Sequence, residues 1–234
     1  SAPWHVLAVR VTDRVGKGIR TTPRDVLIAA TARPGEAGRA FGFHRAMDHA
    51  GAVLGPLVAS GLLAAGLTLR GVFAASLAPG LLAVACVLLV REPAAAASSP
   101  APAPAASNPK ASPAVALPRP LKTWLGILAL FSLGNASDAF LLLRARELGV
   151  PVAAIPLLWS ALHVSKVVSS VVFGRLSDRM PRARLIAAGW MVYAATYAGF
   201  ALARGAVVVV ALFLVYGIYH GLTEPAERAL VRDL

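Results

Sequence analysis

Stretches of about twenty apolar residues recur along this chain, and that recurrence limits its fold more than any single motif. A bilayer core about 30 Å thick needs roughly 20 apolar residues per crossing helix. Seven spans reach or approach that length: residues 4–30, 46–67, 71–91, 122–144, 152–174, 184–203 and 206–231. Composition agrees, with 57% of residues apolar, 15% charged and a mean hydropathy of +0.68. Soluble domains run near 45–50% apolar and about 25% charged. A soluble enzyme and a disordered chain are therefore excluded. The lone Cys86 rules out a disulfide scaffold and a Cys-ligated metal site. The expected fold class is an all-α polytopic membrane protein.

Residues 92–121 break the pattern, with Pro100, Pro102, Pro104, Pro109, Pro113, Pro118 and Pro120 among alanines and serines. That density of proline suits a flexible, partly extended linker dividing three spans from four. Loop charges orient the chain. The linker and the loops near 33–45 and 175–184 hold eleven basic residues, among them Arg33, Arg39, Arg45, Arg175 and Arg184. The opposite side holds four: Arg70, Arg144, Arg146 and Arg204. The positive-inside bias then puts the linker in the cytoplasm. It also accounts for much of the net charge of +12 without nucleic acid.

Charges inside the spans carry more information, because each costs about 2.5–3.5 kcal/mol at the bilayer centre. In the first span Arg10, Asp13, Arg14, Lys17, Arg20, Arg24 and Asp25 fall within an arc of roughly 140° at helical spacing. That face must line a hydrated cavity or a protein interface, and the part from Arg20 to Asp25 could instead be interfacial. A short repeat links the two ends of the chain. Thr22-Pro23-Arg24-Asp25 and Glu224-Pro225-Ala226-Glu227 each place a proline two residues before an acid, at an offset of 202.

Three segments resemble the major facilitator superfamily (MFS). Gly174-Arg175-Leu176-Ser177-Asp178-Arg179-Met180-Pro181-Arg182 is similar to its short cytoplasmic loop motif, with Gly174, Asp178, Arg179 and Arg182 at the matching positions. Gly51-Ala52-Val53-Leu54-Gly55-Pro56 resembles the fifth-helix motif of exporters, here followed by Ala59 and Ser60 in place of a glycine pair. Asp13 to Asp25, with Gly38-Arg39-Ala40-Phe41-Gly42, resembles the fourth helix and following loop of a bacterial subgroup.

The resemblance implies twelve helices in two six-helix bundles, of which this chain carries about seven. Residues 1–91 would be helices four to six, 92–121 the central loop, and 122–234 helices seven to ten. With the 202-residue offset, about 80 residues would precede the chain and two helices follow it, for about 375–400 residues in all. The implied activity is not enzymatic. It is secondary transport of a small molecule by alternating access, with proton-coupled efflux favoured over uptake. The rivals from other classes are a membrane enzyme and a non-transporting receptor or scaffold. Expected partners are the lipid bilayer of the cell membrane and a small-molecule substrate, with no nucleic acid, no cofactor beyond a proton gradient, and a monomeric state.

By the same resemblance, the substrate and proton pathway would be lined by Arg10, Asp13, Arg14, Lys17, Asn135, Asp138, His163, Lys166, Tyr216 and His220. The net positive face of the first span would suit an anionic or amphipathic substrate. Asp138 is the coupling candidate; its alternative is a static salt bridge to Arg10 or Arg14. His163 is either a satisfied helix-contact residue or a proton carrier, and Lys166 needs an acid that the sequence does not name. Arg20, Arg24, Asp25, Glu224, Glu227 and Arg228 form a candidate cytoplasmic gate, with Arg24 opposite Glu227, unless each half pairs within itself. Gly51 and Gly55 suggest close helix packing or, with Pro56, a bend. His44 and His49 are not at the i, i+4 spacing of a helical zinc pair.

Overall fold

The computed structural model describes residues 3–89 and 117–234, without the side chains of Pro3, Val6 and Arg10. Most of the expected linker, residues 92–116, lies outside the described residues, as does the expectation for the Arg10 side chain. The described chain is helical: α1 (Pro3–Thr31), α2 (Ala37–Ala64), α3 (Leu69–Ala75), α4 (Leu77–Leu88), α5 (Arg119–Gly134), α6 (Asp138–Glu147), a 3-10 turn (Val152–Ala154), α7 (Ile155–Leu176), α8 (Arg182–Leu202) and α9 (Ala206–Asp233). Six segments are long and apolar enough to cross a membrane: α2, α3 with α4, α5 with α6, the 3-10 turn with α7, α8 and α9. The seventh expected span, α1, has the length at about 44 Å, but its charges keep it out of that set.

Burial is mixed: Leu162, Val209 and Phe213 fill an apolar interior, but polar side chains share it and many large apolar ones face outward. Ser160, His163, Lys166, Ser169, Ser170, Thr196 and Thr223 are buried, while Leu81, Leu88, Leu130, Leu133 and Val207 are exposed. Hydrocarbon solvates leucine as well as a protein interior does. Association of helices in it rests on close packing and hydrogen bonds instead. The structure follows that rule. Gly217 and Gly221 of α9 lie against Ser165 and Ser169 of α7, whose hydroxyls donate to the carbonyls of Leu214 and Gly217 at 2.6 and 2.9 Å.

Two boundaries differ from expectation. Span 122–144 is not continuous: α5 stops at Gly134 and α6 restarts at Asp138, with Asn135–Ser137 non-helical between them. The Ser137 hydroxyl caps the restart by accepting from Ala139 N. Carbonyls freed by the break accept from Tyr193 (to Gly134 O, 3.2 Å) and Tyr197 (to Ala136 O, 3.3 Å). The same segment starts early, at Arg119, because proline is tolerated in a first turn and Pro120 sits there.

α2 begins at Ala37, about nine residues before the apolar run of the expected span. Its first turn is capped from elsewhere in the chain. Asp178, between α7 and α8, accepts from Gly38 N at 2.7 Å and Arg39 N at 2.8 Å, while the Glu36 side chain provides no cap. Asp178→Ala should therefore cost about 0.5–2 kcal/mol, read as a lower melting temperature of the purified protein.

The loop motif is thus a clasp between distant segments. Gly174 lies against Gly38 and Gly42 so closely that a Cβ on Gly42 would be 2.5 Å from Ser170 O and 2.8 Å from Gly174 Cα. Arg182 pairs with Asp233 at 2.9 Å and approaches Asp178 at 3.9 Å, whereas Arg179 is exposed. For Gly51 and Gly55 the expectation was close helix packing or, with Pro56, a bend. Among the described residues nothing lies within 4 Å of a Cβ at either one, and the tight face is one of Gly38, Gly42 and Gly174.

Candidate functional site

The break between α5 and α6 places Asp138 in the first turn of α6, where unpaired amides favour a carboxylate. Tyr216 of α9 donates to its Oδ1 at 2.8 Å, and Lys166 Nζ of α7 stands 3.7 Å from its Oδ2. Lys166 is only 3% exposed, and its ammonium lies 5.9 and 5.8 Å from the ring centres of Trp159 and Tyr216. The acid that Lys166 needs is therefore Asp138, and this pair stands where a bridge to Arg14 was one alternative. The reason is topological: α7 and α9 pack together beside the break, while the Arg14 side chain is exposed on α1. Asn135 ends α5 and is exposed; it adds no contact to the pair.

One to three turns along α7 and α9 a second polar group crosses between distant segments. His163 Nδ1 lies 3.3 Å from His49 Nδ1 of α2. Glu224 of α9 lies 2.9 Å from His220 Nδ1 and 2.7 Å from Arg45 Nε. His163 is thus a contact residue, and its partner is another histidine from a different part of the chain. His220 is tied to Glu224 on its own helix rather than to Asp138.

The charges expected at the gate do form ion pairs between α1, α2 and α9, with different partners. Asp25 of α1 pairs with Arg228 of α9, and Arg24 binds the neighbouring Asp25 at 3.3 Å. Arg24 opposite Glu227 is corrected to Asp25 opposite Arg228, with Arg45 opposite Glu224 as a second pair. The pairing joins the second residue after Pro23 to the third residue after Pro225. Glu227 lines a cavity of about 490 Å³ with Thr22, Asp25, Phe41 and Arg228.

Part of the charged face of α1 borders a cavity. Lys17, Arg20 and Arg24 border a cavity of about 380 Å³ whose other walls include Arg45, Asp48, His49 and His163. Asp13 sits deeper along α1, paired with Lys17 at 2.8 Å. Arg144, which faces the opposite end of α6, instead donates to the carbonyls of Phe200 and Ala203 at the end of α8.

Sequence reasoning missed Arg45 and His49. Arg45 had the look of a loop charge, and His49 had been weighed only as a zinc ligand. Their spacing of four, on a helix that continues into an apolar run, was the available signal.

Comparison with known proteins follows the same line. The sequence model described as Major Facilitator Superfamily matches residues 1–234. An uncharacterized MFS-type transporter of Methanocaldococcus jannaschii is 32% identical over 229 residues, covering 95% of this chain and 56% of that protein. Uncharacterized proteins of Mycobacterium bovis and Mycobacterium tuberculosis are 29% identical over 236 residues, covering 100% of this chain and 57% of theirs. The chain thus spans little more than half the length of the curated relatives it matches. No solved structure matches it.

Proposed function

The chain belongs to the Major Facilitator Superfamily, and from that premise we propose that it is the greater part of a secondary active transporter working by alternating access. The transporter is a multi-pass protein of the cell membrane, not an enzyme. It acts as a monomer and exports a small molecule against an inward flow of protons. Residues 1–91 belong to one bundle and 122–234 to the other, with the linker 92–121 in the cytoplasm.

The observation that carries the reading is the ion pair of Asp138 and Lys166 at a helix break, held by Tyr216. Discontinuous helices are where transporters build coupling sites. Protonating Asp138 would remove the counter-charge of Lys166 and leave a cation in a buried setting. That is a large local change, and alternating access can be biased by it. The contacts of Gly38 and Gly42 with Gly174, and of Asp178 with the start of α2, close the end that loop charge puts in the cytoplasm. The central cavity of this state would then face outward.

The test uses the whole gene product in everted vesicles. Energised vesicles acidify, and export by proton antiport should carry solute into the lumen while dissipating the gradient, seen as recovery of a pH-sensitive dye. Solute uptake that survives collapse of the gradient by nigericin would remove the proton role.

The cross-bundle pair gives its own prediction. Asp25→Arg alone should lower transport several-fold, and adding Arg228→Asp should recover it, with a coupling energy of about 0.5–3 kcal/mol. Failure of the second change to repair the first would show that Asp25 and Arg228 do not act as a pair.

A further inference from the structure

The cavity of about 380 Å³ between α1, α2, α7 and α9 is within the range of small-molecule sites. Its walls carry five cations, Lys17, Arg20, Arg24, Arg45 and Arg228, and one carboxylate, Asp48. Acids beside the cavity meet most of that charge. Asp13 pairs with Lys17, Asp25 with both Arg24 and Arg228, and Glu224 and Asp48 with Arg45. Four carboxylates then face five cations. Among the described residues Arg20 is the wall cation outside these pairs.

A second observation is independent of charge. His49 and His163 line the same cavity, each 7% exposed, and the Nε2 of each has no hydrogen-bond partner. The Nε2 of His49 is 3.7 Å from Glu224, beyond hydrogen-bonding reach. The buried Nε2 of His163 thus stands without a hydrogen bond on the wall that carries the spare cation, and that of His49 has only the long contact with Glu224. A ligand with one anionic group and further polar atoms would meet both needs together.

We propose that this cavity binds a small organic anion, its carboxylate or phosphate held by Arg20 with Lys17 one turn away, and its other polar atoms met by His49 and His163. The proposal rests on the transporter reading and names the class of solute. A guanidinium presents two parallel N–H donors to either oxyanion, so carboxylate and phosphate share this recognition. A cation in the same place would face the unbalanced positive wall.

The site is also joined to closure. Arg45 and Arg228 border the cavity and at the same time hold Glu224 and Asp25. A bound anion competes with those two carboxylates for the arginines. Loading therefore weakens the contacts between the bundles, and the ligand favours the state in which they part.

The experiment is isothermal titration of the whole gene product in detergent. The probes are benzoate, succinate and inorganic phosphate, with tetramethylammonium as the cationic control. At least one anion should bind saturably, and tetramethylammonium should not. The ranking of the two carboxylates against phosphate tells which oxyanion the site takes. Arg20→Gln should weaken binding about tenfold to a hundredfold, and Arg20→Lys, which keeps the charge but loses the parallel donors, should recover only part of it. Arg20 is exposed on α1, so both variants should keep the parent melting temperature. No saturable anion binding, or binding that Arg20→Gln leaves unchanged, overturns the proposal. Transport of the same compounds is measured separately in vesicles. An anion that binds there but is never moved keeps the site and removes the transporter reading. Movement of solutes by a protein that binds no anion does the reverse.

Discussion

Asp138→Asn should reduce pH-gradient-driven transport by at least about a hundredfold and lower the yield of folded protein. Asparagine keeps the volume and can still accept from Tyr216, so the change isolates the charge. What remains is Lys166, whose side chain is 4% exposed against 28% for Asp138, without its counter-ion. Removing one partner of a buried pair costs about 3–5 kcal/mol, whereas removing both is often close to neutral. The double variant Asp138→Asn with Lys166→Met should therefore recover melting temperature and yield. It should not recover coupling, because no group is left to take the proton. Solute exchange without a gradient should persist in it. If pH-driven transport returned with stability, the pair would be a structural bridge and the proton role would fall.

Gly42→Ala should shift the protein strongly away from the state described here. The added Cβ would stand 2.5 Å from Ser170 O and 2.8 Å from Gly174 Cα. Both are backbone positions, so neither can swing aside as a flexible side chain would. Overpacking of this kind costs about 1–3 kcal/mol, and a cost carried by one conformer alone changes its population ratio about 5- to 150-fold. The readout is a cysteine placed by Ala46→Cys, with Cys86→Ser in the background, probed by a membrane-impermeant maleimide. Ala46 is fully buried, and labelling there should rise sharply with Gly42→Ala. Gly51→Ala is the comparison, since no described atom lies within 4 Å of a Cβ there. Unchanged labelling in Gly42→Ala would mean that α2 and α7 do not separate at this face.

Legibility differed from element to element for physical reasons. Apolar runs such as 184–203 and 206–231 closely matched helices Arg182–Leu202 and Ala206–Asp233, because crossing hydrocarbon demands both length and apolarity. The start of α2 was not legible. Its first turn, Ala37-Gly38-Arg39-Ala40, lies before the apolar run and is completed by Asp178, 140 residues away from Gly38 along the chain. The break at Asn135–Ser137 was hidden too, because the two hydroxyls that donate to the carbonyls freed there come from α8. Asp138 stood out as a costly charge in an apolar run, but cost says only that a partner must exist. Arg45 was masked by lying next to a loop.

By itself the sequence determined the solvent of the protein, its helical class, and which side chains were too expensive to leave unpaired. Those properties follow from transfer free energies and spacing along one chain. The tertiary structure decided the pairings: Asp138 with Lys166, Asp25 with Arg228, Arg45 with Glu224, and Gly42 against Gly174. Each joins residues on different helices, and in hydrocarbon the choice among such contacts depends on which backbones approach closely enough to bring them together.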